Sequence, residues 1–364
     1  MNINFYMPTK VLMGKNIVVD SSELLKQYGN KALIVTGRHS SKANGSLEDV
    51  KKSLELSNID YIVFDEIEEN PSLETIEQGA LLGKENDVNF VIGIGGGSPL
   101  DASKAIAVMI KNPDLTKDTV LTNKALEAID VIAVPTTAGT GSETTQYSIV
   151  TVHKEKTKKN LGQSVFPKLA LLDASYMNNM NSETTINTAI DALSHLVEGY
   201  LNVNANFFTD ALVEKALKVW GECIDSLLNK SFNFEVREKF MIASTIAGMV
   251  IAQTGTSLPH GMGYSLTYFK GLPHGIANGC LYREYLKVFK DKEKVNNIWK
   301  YLGLSSFEEL DNILEKLTKV DIEISDEEIK EYTEGMWNNK AKLKNHTEEI
   351  TYEEIYNIYK NSLS

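Results

Sequence analysis

The chain has 364 residues, 37 basic against 49 acidic side chains for a formal net charge of −12, and two cysteines, Cys223 and Cys280. That length suits about two domains; the acidic balance offers no field for nucleic acid or an anionic membrane surface; and cysteines outside any CxxC pair fit a reducing cytosol and argue against a thiolate zinc site. The opening MNINFYMPTK lacks a signal-peptide pattern, and apolar runs of about five to seven residues fall far below the roughly 18 that span a bilayer, so a cytoplasmic globular protein is expected.

Through the first half, short apolar, β-branched runs alternate with stretches whose apolar residues recur at helical spacing. The runs are 31–36 (KALIVT), 61–64 (YIVF), 89–94 (NFVIGI), 130–134 (DVIAV) and 169–172 (LALL). Apolar strands separated by helical patterns predict a parallel sheet covered on both faces. From about Asn181 the strand runs stop. Residues 182–185 (SETT) offer a helix cap, and all eight prolines lie at or before Pro273, so nothing breaks the amphipathic stretches beyond it. The Lys- and Glu-rich residues 291–363 read as a solvated helical surface. The expectation is an α/β dinucleotide-binding domain over residues 1–180 and a helical metal-binding domain over residues 181–364.

Two loops follow predicted strands. In the first, residues 93–104 (GIGGGSPLDASK), Gly95, Gly96 and Gly97 let backbone N–H groups approach a bulky anion at a helix N-terminus, where Ser98 offers a cap and Pro99 suits the first turn. The physical type is a pyrophosphate cradle, although the spacing is neither GxGxxG nor a Walker loop. In the second, residues 135–145 (PTTAGTGSETT), six hydroxyls occupy the ten positions after Pro135. Such a loop can donate to phosphate and ribose oxygens as well as cap a helix.

Asp191 and His195 stand four residues apart within DALSHLVEGY, on one face of a predicted helix, with Glu198 nearby as a supporting acid. His260 ends GTSLPH and His274 sits in KGLPHG. One carboxylate and three imidazoles suit Fe(II), Zn(II) or a related divalent ion. His39, His153 and His346 lie in polar surroundings and read as surface or local residues.

Together, residues 95–104, 135–143 and 191–200 and the His260–His274 pair resemble the iron-dependent, group III alcohol dehydrogenase family over almost the whole chain, most of all its bacterial 1,3-propanediol and butanol dehydrogenase branch. The resemblance implies a Rossmann-like α/β N-terminal domain and an all-α C-terminal domain, the dehydroquinate synthase-like architecture, with the active site in the cleft and a homodimer or higher homo-oligomer. It assigns the metal, Fe(II) with Zn(II) fitting the same set, to Asp191, His195, His260 and His274. It assigns pyrophosphate contacts to Gly95, Gly96, Gly97 and Ser98. Further cofactor contacts are Asp101, Thr136, Thr137, Thr140, Ser142, Thr145, Lys159 and Tyr176, while Tyr147 and Ile251 match substrate-pocket positions. One departure is that many members carry a histidine four residues after the third ligand, where this chain has Tyr264, a candidate for shaping the pocket or passing a proton.

The implied chemistry is hydride transfer between NAD(P)(H) and a small primary alcohol, diol or aldehyde, with the metal as Lewis acid. The alternative is a dehydroquinate synthase-like, metal- and NAD-dependent lyase. Its phosphorylated, carboxylated substrate would need several cations, yet Lys270 is the only one in residues 254–278, which favours a small neutral substrate. After the first strand, NAD-preferring relatives often carry Asp where this chain has Gly37. Without that carboxylate, and with Arg38, Ser40, Ser41 and Lys42 following, NADP(H) is expected over NAD(H).

Overall fold

The computed structural model describes residues 3–123, 125–155 and 157–363. The chain divides into two compact units, Met7–Met180 and Asn181–Ser364, the second joined by Met1–Tyr6. The N-terminal residues thus depart from the expected 1–180 span. Tyr6 exchanges backbone hydrogen bonds with the Gln253 side chain at 3.0 and 2.9 Å, and the Phe5 ring lies 5.9 Å from that of Phe208.

In the first unit, β1 (Lys10–Met13), β2 (Lys31–Gly37), β3 (Asp60–Ile67), β4 (Phe90–Gly95), β5 (Asp130–Pro135) and β8 (Leu169–Leu172) form one parallel sheet in the order β1-β8-β5-β4-β2-β3. A separate antiparallel pair consists of β6 (Ile149–Val152) and β7 (Thr157–Asn160). The five expected strands are present; β1, β6 and β7 were not anticipated, being short and, in β7, polar. Successive strand residues serve opposite faces. Leu33, Val35 and Val91 join Ile76 and Ile106 in one apolar cluster, whereas Ala32, Ile34, Ile92 and Ile94 join Leu47 and Leu54 in the other. That double burial explains the uninterrupted apolar runs, each Val, Leu or Ile contributing about 1.5–3 kcal/mol when fully buried.

The order reverses at β2 and β4, the kind of switch point where open α/β sheets bind ligands beyond their carboxyl ends. β4 and β5 pair in register through Gly95 and Pro135, so both expected loops leave the sheet side by side.

The described residues of the second unit form helices joined by loops, with one isolated β-bridge between Asn202 and His346. The helix Ser182–Tyr200 is capped by Asn181, whose side chain accepts from the Thr184 N–H, rather than by Ser182. It packs against Phe207–Gly221, Phe234–Thr254, Leu258–Lys270 and His274–Gly279. The fully buried Trp220 donates its indole N–H to the Ala189 carbonyl at 2.9 Å. Gly275 permits the close approach of His274–Gly279, since a Cβ there would stand 1.9 Å from the Asn187 carbonyl oxygen. Among the described residues, no single helix is long and apolar enough to cross a membrane.

Candidate active site

Three elements of the helical unit converge. Asp191 and His195 project one turn apart from Ser182–Tyr200, His260 lies in the first turn of Leu258–Lys270 behind Pro259, and His274 opens its own helix. Asp191, His195 and His260 are buried, and each offers one ligand atom within 4.8 Å of the others. The His195 and His260 rings stack at 4.5 Å, and the His274 ring lies 5.3 Å from that of His260. His260 Nε2 and His274 Nε2 stand 3.7 and 3.8 Å from Asp191 Oδ1.

Asp191 Oδ1, His195 Nδ1 and His260 Nε2 are buried without a hydrogen-bond partner in the protein. Each such atom costs about 1–3 kcal/mol. Unpartnered polar atoms on three residues whose ligand atoms lie this close together fit a divalent cation, which would satisfy lone pairs the protein leaves open. Nitrogen and oxygen donors without sulfur suit iron or zinc.

Glu198 fixes one ligand's tautomer. His260 Nδ1 meets Glu198 Oε1 at 2.5 Å, which places the ring proton on Nδ1 and leaves the Nε2 lone pair facing Asp191. The same carboxylate accepts from the Tyr282 hydroxyl at 2.5 Å and the Ser257 N–H at 2.6 Å. Burial, then the charges of His195 and Lys342, hold His260 well below its usual range, so the imidazole is neutral, as a ligand must be. Burial pushes the Glu198 carboxyl up, opposed chiefly by the Lys342 ammonium. Asn278 stands 3.3 Å from His274 Nε2, and the Tyr264 ring stacks on His274 at 6.0 Å.

In the α/β unit, Gly96 caps the helix Gly97–Lys111. Ser98 therefore sits inside the helix, and its hydroxyl accepts from the Asn70 N–H at 3.0 Å instead of capping. A Cβ on Gly97 would lie 2.7 Å from Thr140, and one on Gly96 would lie 3.1 Å from Thr137, so the glycines let the two loops pack together. The Thr136 N–H donates to the Gly95 carbonyl at 2.9 Å. Lys104, fully buried, latches the pair. Its ammonium donates to Ser142 at 2.8 Å, Thr145 at 3.3 Å and the Tyr147 carbonyl at 2.7 Å, and lies 3.7 Å from Asp101. Asp101 accepts from the Ser142 hydroxyl at 2.5 Å and the Ile149 N–H at 2.8 Å. Burial lowers Lys104 to about 8.

Several expected cofactor contacts are engaged inside the protein. Ser41 is fully buried in the short helix Ser40–Ala43. The Tyr176 hydroxyl donates to Asp49 at 2.9 Å. Lys159 pairs with Glu155. Arg38 pairs with Glu66 at 2.9 Å, and Lys42 with Asp65. A recess of about 370 Å³ beside Arg38 is lined by Glu66, Glu68 and Glu69, so the positive field expected after Gly37 is largely cancelled. Ile251 is buried.

Two further expectations are corrected. His346 is buried against Tyr285 and Phe289, where burial lowers it to about 4; its polar sequence neighbours concealed an aromatic socket. The window 254–278 also gave an incomplete count of cations. Its Lys270 is tied to Glu328 at 2.7 Å, but Lys342 arrives from the helix Lys340–Leu343 and donates to the Thr256 hydroxyl. Sequence reasoning missed Lys342, Tyr282 and Ser257. Lys104 carried a signal, standing one turn after Asp101 in the glycine-loop helix.

A doubly covered parallel sheet with anion-accepting loops, joined to a helical unit with a buried Asp-His-His cluster, defines a metal- and dinucleotide-dependent class of enzyme. Residues 8–174 match the family described as iron-containing alcohol dehydrogenase, and residues 185–363 match the family's C-terminal part. The chain is 32% identical over 334 residues to an NADPH-dependent butanol dehydrogenase of Clostridium saccharobutylicum, covering 87% of this chain and 83% of the relative. It is 31% identical over 280 residues to an NAD-dependent methanol dehydrogenase of Bacillus methanolicus, covering 76% and 73%. A solved iron-containing alcohol dehydrogenase from Thermotoga maritima superposes with a TM-score of 0.91 at 40% identity, covering 100% of this chain and 99% of the other. The chain belongs to the iron-containing alcohol dehydrogenase family and is an oxidoreductase of that kind.

Proposed function

We propose that this enzyme interconverts a small primary alcohol or diol and its aldehyde, with NADP(H) preferred over NAD(H). Residues 181–363 would hold iron through Asp191, His195, His260 and His274, and residues 7–180 would hold the cofactor. The observation that carries the reading is the buried Asp191, His195 and His260 cluster, whose ligand atoms lie within 4.8 Å of one another and each of whose residues has a buried polar atom with no protein partner. When bound, the metal supplies a Lewis acid for the substrate oxygen and the nicotinamide supplies or accepts hydride. The remaining tasks fall to the chain. Asp191 contributes the one anionic ligand, Glu198 holds His260 in its ligand tautomer, and Tyr264 shapes the wall beside His274. Backbone N–H groups at Gly96, Gly97 and Ser98 receive the pyrophosphate, braced by Thr137 and Thr140. The NADP(H) preference rests on Gly37 alone, where a carboxylate that would repel a 2′-phosphate is missing, since Arg38 and Lys42 are already paired with Glu66 and Asp65.

The test is anaerobic chelation followed by reloading with Fe(II) or Zn(II), with metal content and alcohol oxidation measured for both nicotinamides. Loss of turnover on chelation and recovery with Fe(II) is expected. Full activity in metal-free protein would remove the metal from the mechanism.

A further inference from the structure

Lys342 is a half-buried cation that makes no direct ion pair among the described residues; the charge acting on it is that of Glu198. Its ammonium donates to Thr256 and lies 5.8 Å over the face of the Tyr264 ring. Glu198 pairs directly with His260 rather than with Lys342. The acid that most influences it, Glu198, is already engaged by His260, Tyr282 and Ser257. An ammonium has three donors, so N–H directions remain for an acceptor that the protein does not provide. Burying an ammonium without an anion is unfavourable, and burial accordingly lowers Lys342.

The stem of Lys342 also has a place prepared for it. Gly261 follows the ligand His260, and a Cβ there would lie 3.1 Å from Lys342 Cγ and 2.6 Å from Met336 Sδ. The ammonium is thereby brought to the Tyr264 side of the ligand cluster, where Tyr264 in turn stacks on His274.

We infer that Lys342, with Thr256, is a specificity-determining anchor for a carboxylate borne by the substrate, so that the enzyme acts on short ω-oxo and ω-hydroxy carboxylates in preference to uncharged aldehydes and alcohols. This rests on the dehydrogenase reading above and deepens it. One ammonium with donor directions left over suits a single carboxylate as acceptor; a phosphate monoester, with its greater charge, would call for further cations. The reaction is unchanged at the far end of the substrate. The reduced nicotinamide gives a hydride, with its electron pair, to the aldehyde carbon; the carbonyl oxygen takes a proton from solvent; the products are the hydroxy acid and the oxidised nicotinamide. The carboxylate forms and breaks no bond.

The test uses Fe(II)-loaded enzyme and a pair of aldehydes of equal length, 4-oxobutanoate and butanal. Wild type should favour 4-oxobutanoate by at least about tenfold in kcat/KM, and Lys342→Met should lower that ratio at least about tenfold, mainly through KM, as expected for loss of a charged hydrogen bond. Lys342→Arg should keep most of the preference. Calorimetry with unreactive butanoate supplies a readout independent of turnover, and binding should weaken at least about tenfold in Lys342→Met. An unchanged aldehyde ratio, or equal butanoate affinity in wild type and Lys342→Met, would overturn the anchor. Turnover of neither aldehyde by metal-loaded protein would instead count against the dehydrogenase reading, and the butanoate measurement would still decide the anchor.

Discussion

The ligand cluster and the paired loops handle polar groups in opposite ways. Around Asp191, His195 and His260, three buried acceptor atoms are left without partners. Between the glycine loop and the hydroxyl-rich loop, Asp101, Lys104, Ser142 and Thr145 satisfy one another. The first arrangement is unfavourable until a cation arrives, so it selects its ligand strongly. The second is complete without a ligand and presents backbone N–H groups from a rigid frame. The hydroxyls of Ser142 and Thr145, which look available in the sequence, are bonded within the protein.

Substitutions can break this contrast. The largest effect is expected from His195→Ala, which should abolish stoichiometric metal and reduce turnover at least about a thousandfold, as metal-assisted catalysis contributes several kcal/mol. Elemental analysis together with alcohol oxidation checks it, and full metal content in the variant would show that the unpaired atoms are not a ligand set.

Lys104→Met should act on the frame instead, destabilising the protein by about 3–5 kcal/mol by leaving Asp101 buried without its cation. Urea unfolding measures this. The pH dependence has a definite sign. Lys104 releases its proton near pH 8 in the folded protein but near 10.5 when unfolded, so the unfolded chain binds more protons between those values. The burial penalty is full below about pH 8 and is relieved above it. The stability advantage of wild type over Lys104→Met should therefore grow from pH 8 to pH 10. An advantage that shrinks over that window would mean Lys104 is not desolvated as described.

Glu198→Gln leaves the ligands in place but weakens the hold on the His260 tautomer. Metal affinity should fall about 10–100-fold, as read by competition with a chelator, and an unchanged affinity would leave Glu198 with a packing role only. The smallest effect is expected at Gly37→Asp. Its new Cβ would stand 3.3 Å from the Ile67 carbonyl oxygen, a tight backbone contact, so urea unfolding of the variant accompanies the kinetics, and the kcat/KM ratio of NADP(H) to NAD(H) should drop about tenfold. A wild type that favours NAD(H), or an unchanged ratio in the variant, would refute the reading of this loop.

The sequence reported what depends on local pattern. Runs such as KALIVT and NFVIGI identify strands because both faces of each are buried, and the i, i+4 spacing of Asp191 and His195 puts them on one helix face. It could not report what depends on distant packing. β1 pairs with β8 across more than half of the first unit's chain, and no property of KVLM alone distinguishes it from a loop. Lys342 and His346 sit among polar neighbours, yet tertiary packing places one beside Tyr264 and the other in an aromatic socket. Electrostatics failed for a related reason: Arg38 and Lys42 look like free cations until β3 sets Asp65 and Glu66 beside them.

The hydrogen bond from Trp220 to the Ala189 carbonyl gives the molecule an optical sensor. The indole is anchored to the backbone two residues before Asp191, in a dry setting with the Phe240 ring 6.5 Å away. Emission from such a fluorophore responds to the field and position of its partner carbonyl, so with Trp299 and Trp337 replaced by phenylalanine a shift of the ligand helix on metal loading should change the remaining emission. Loading of the metal site could then be followed in real time on the unlabelled protein.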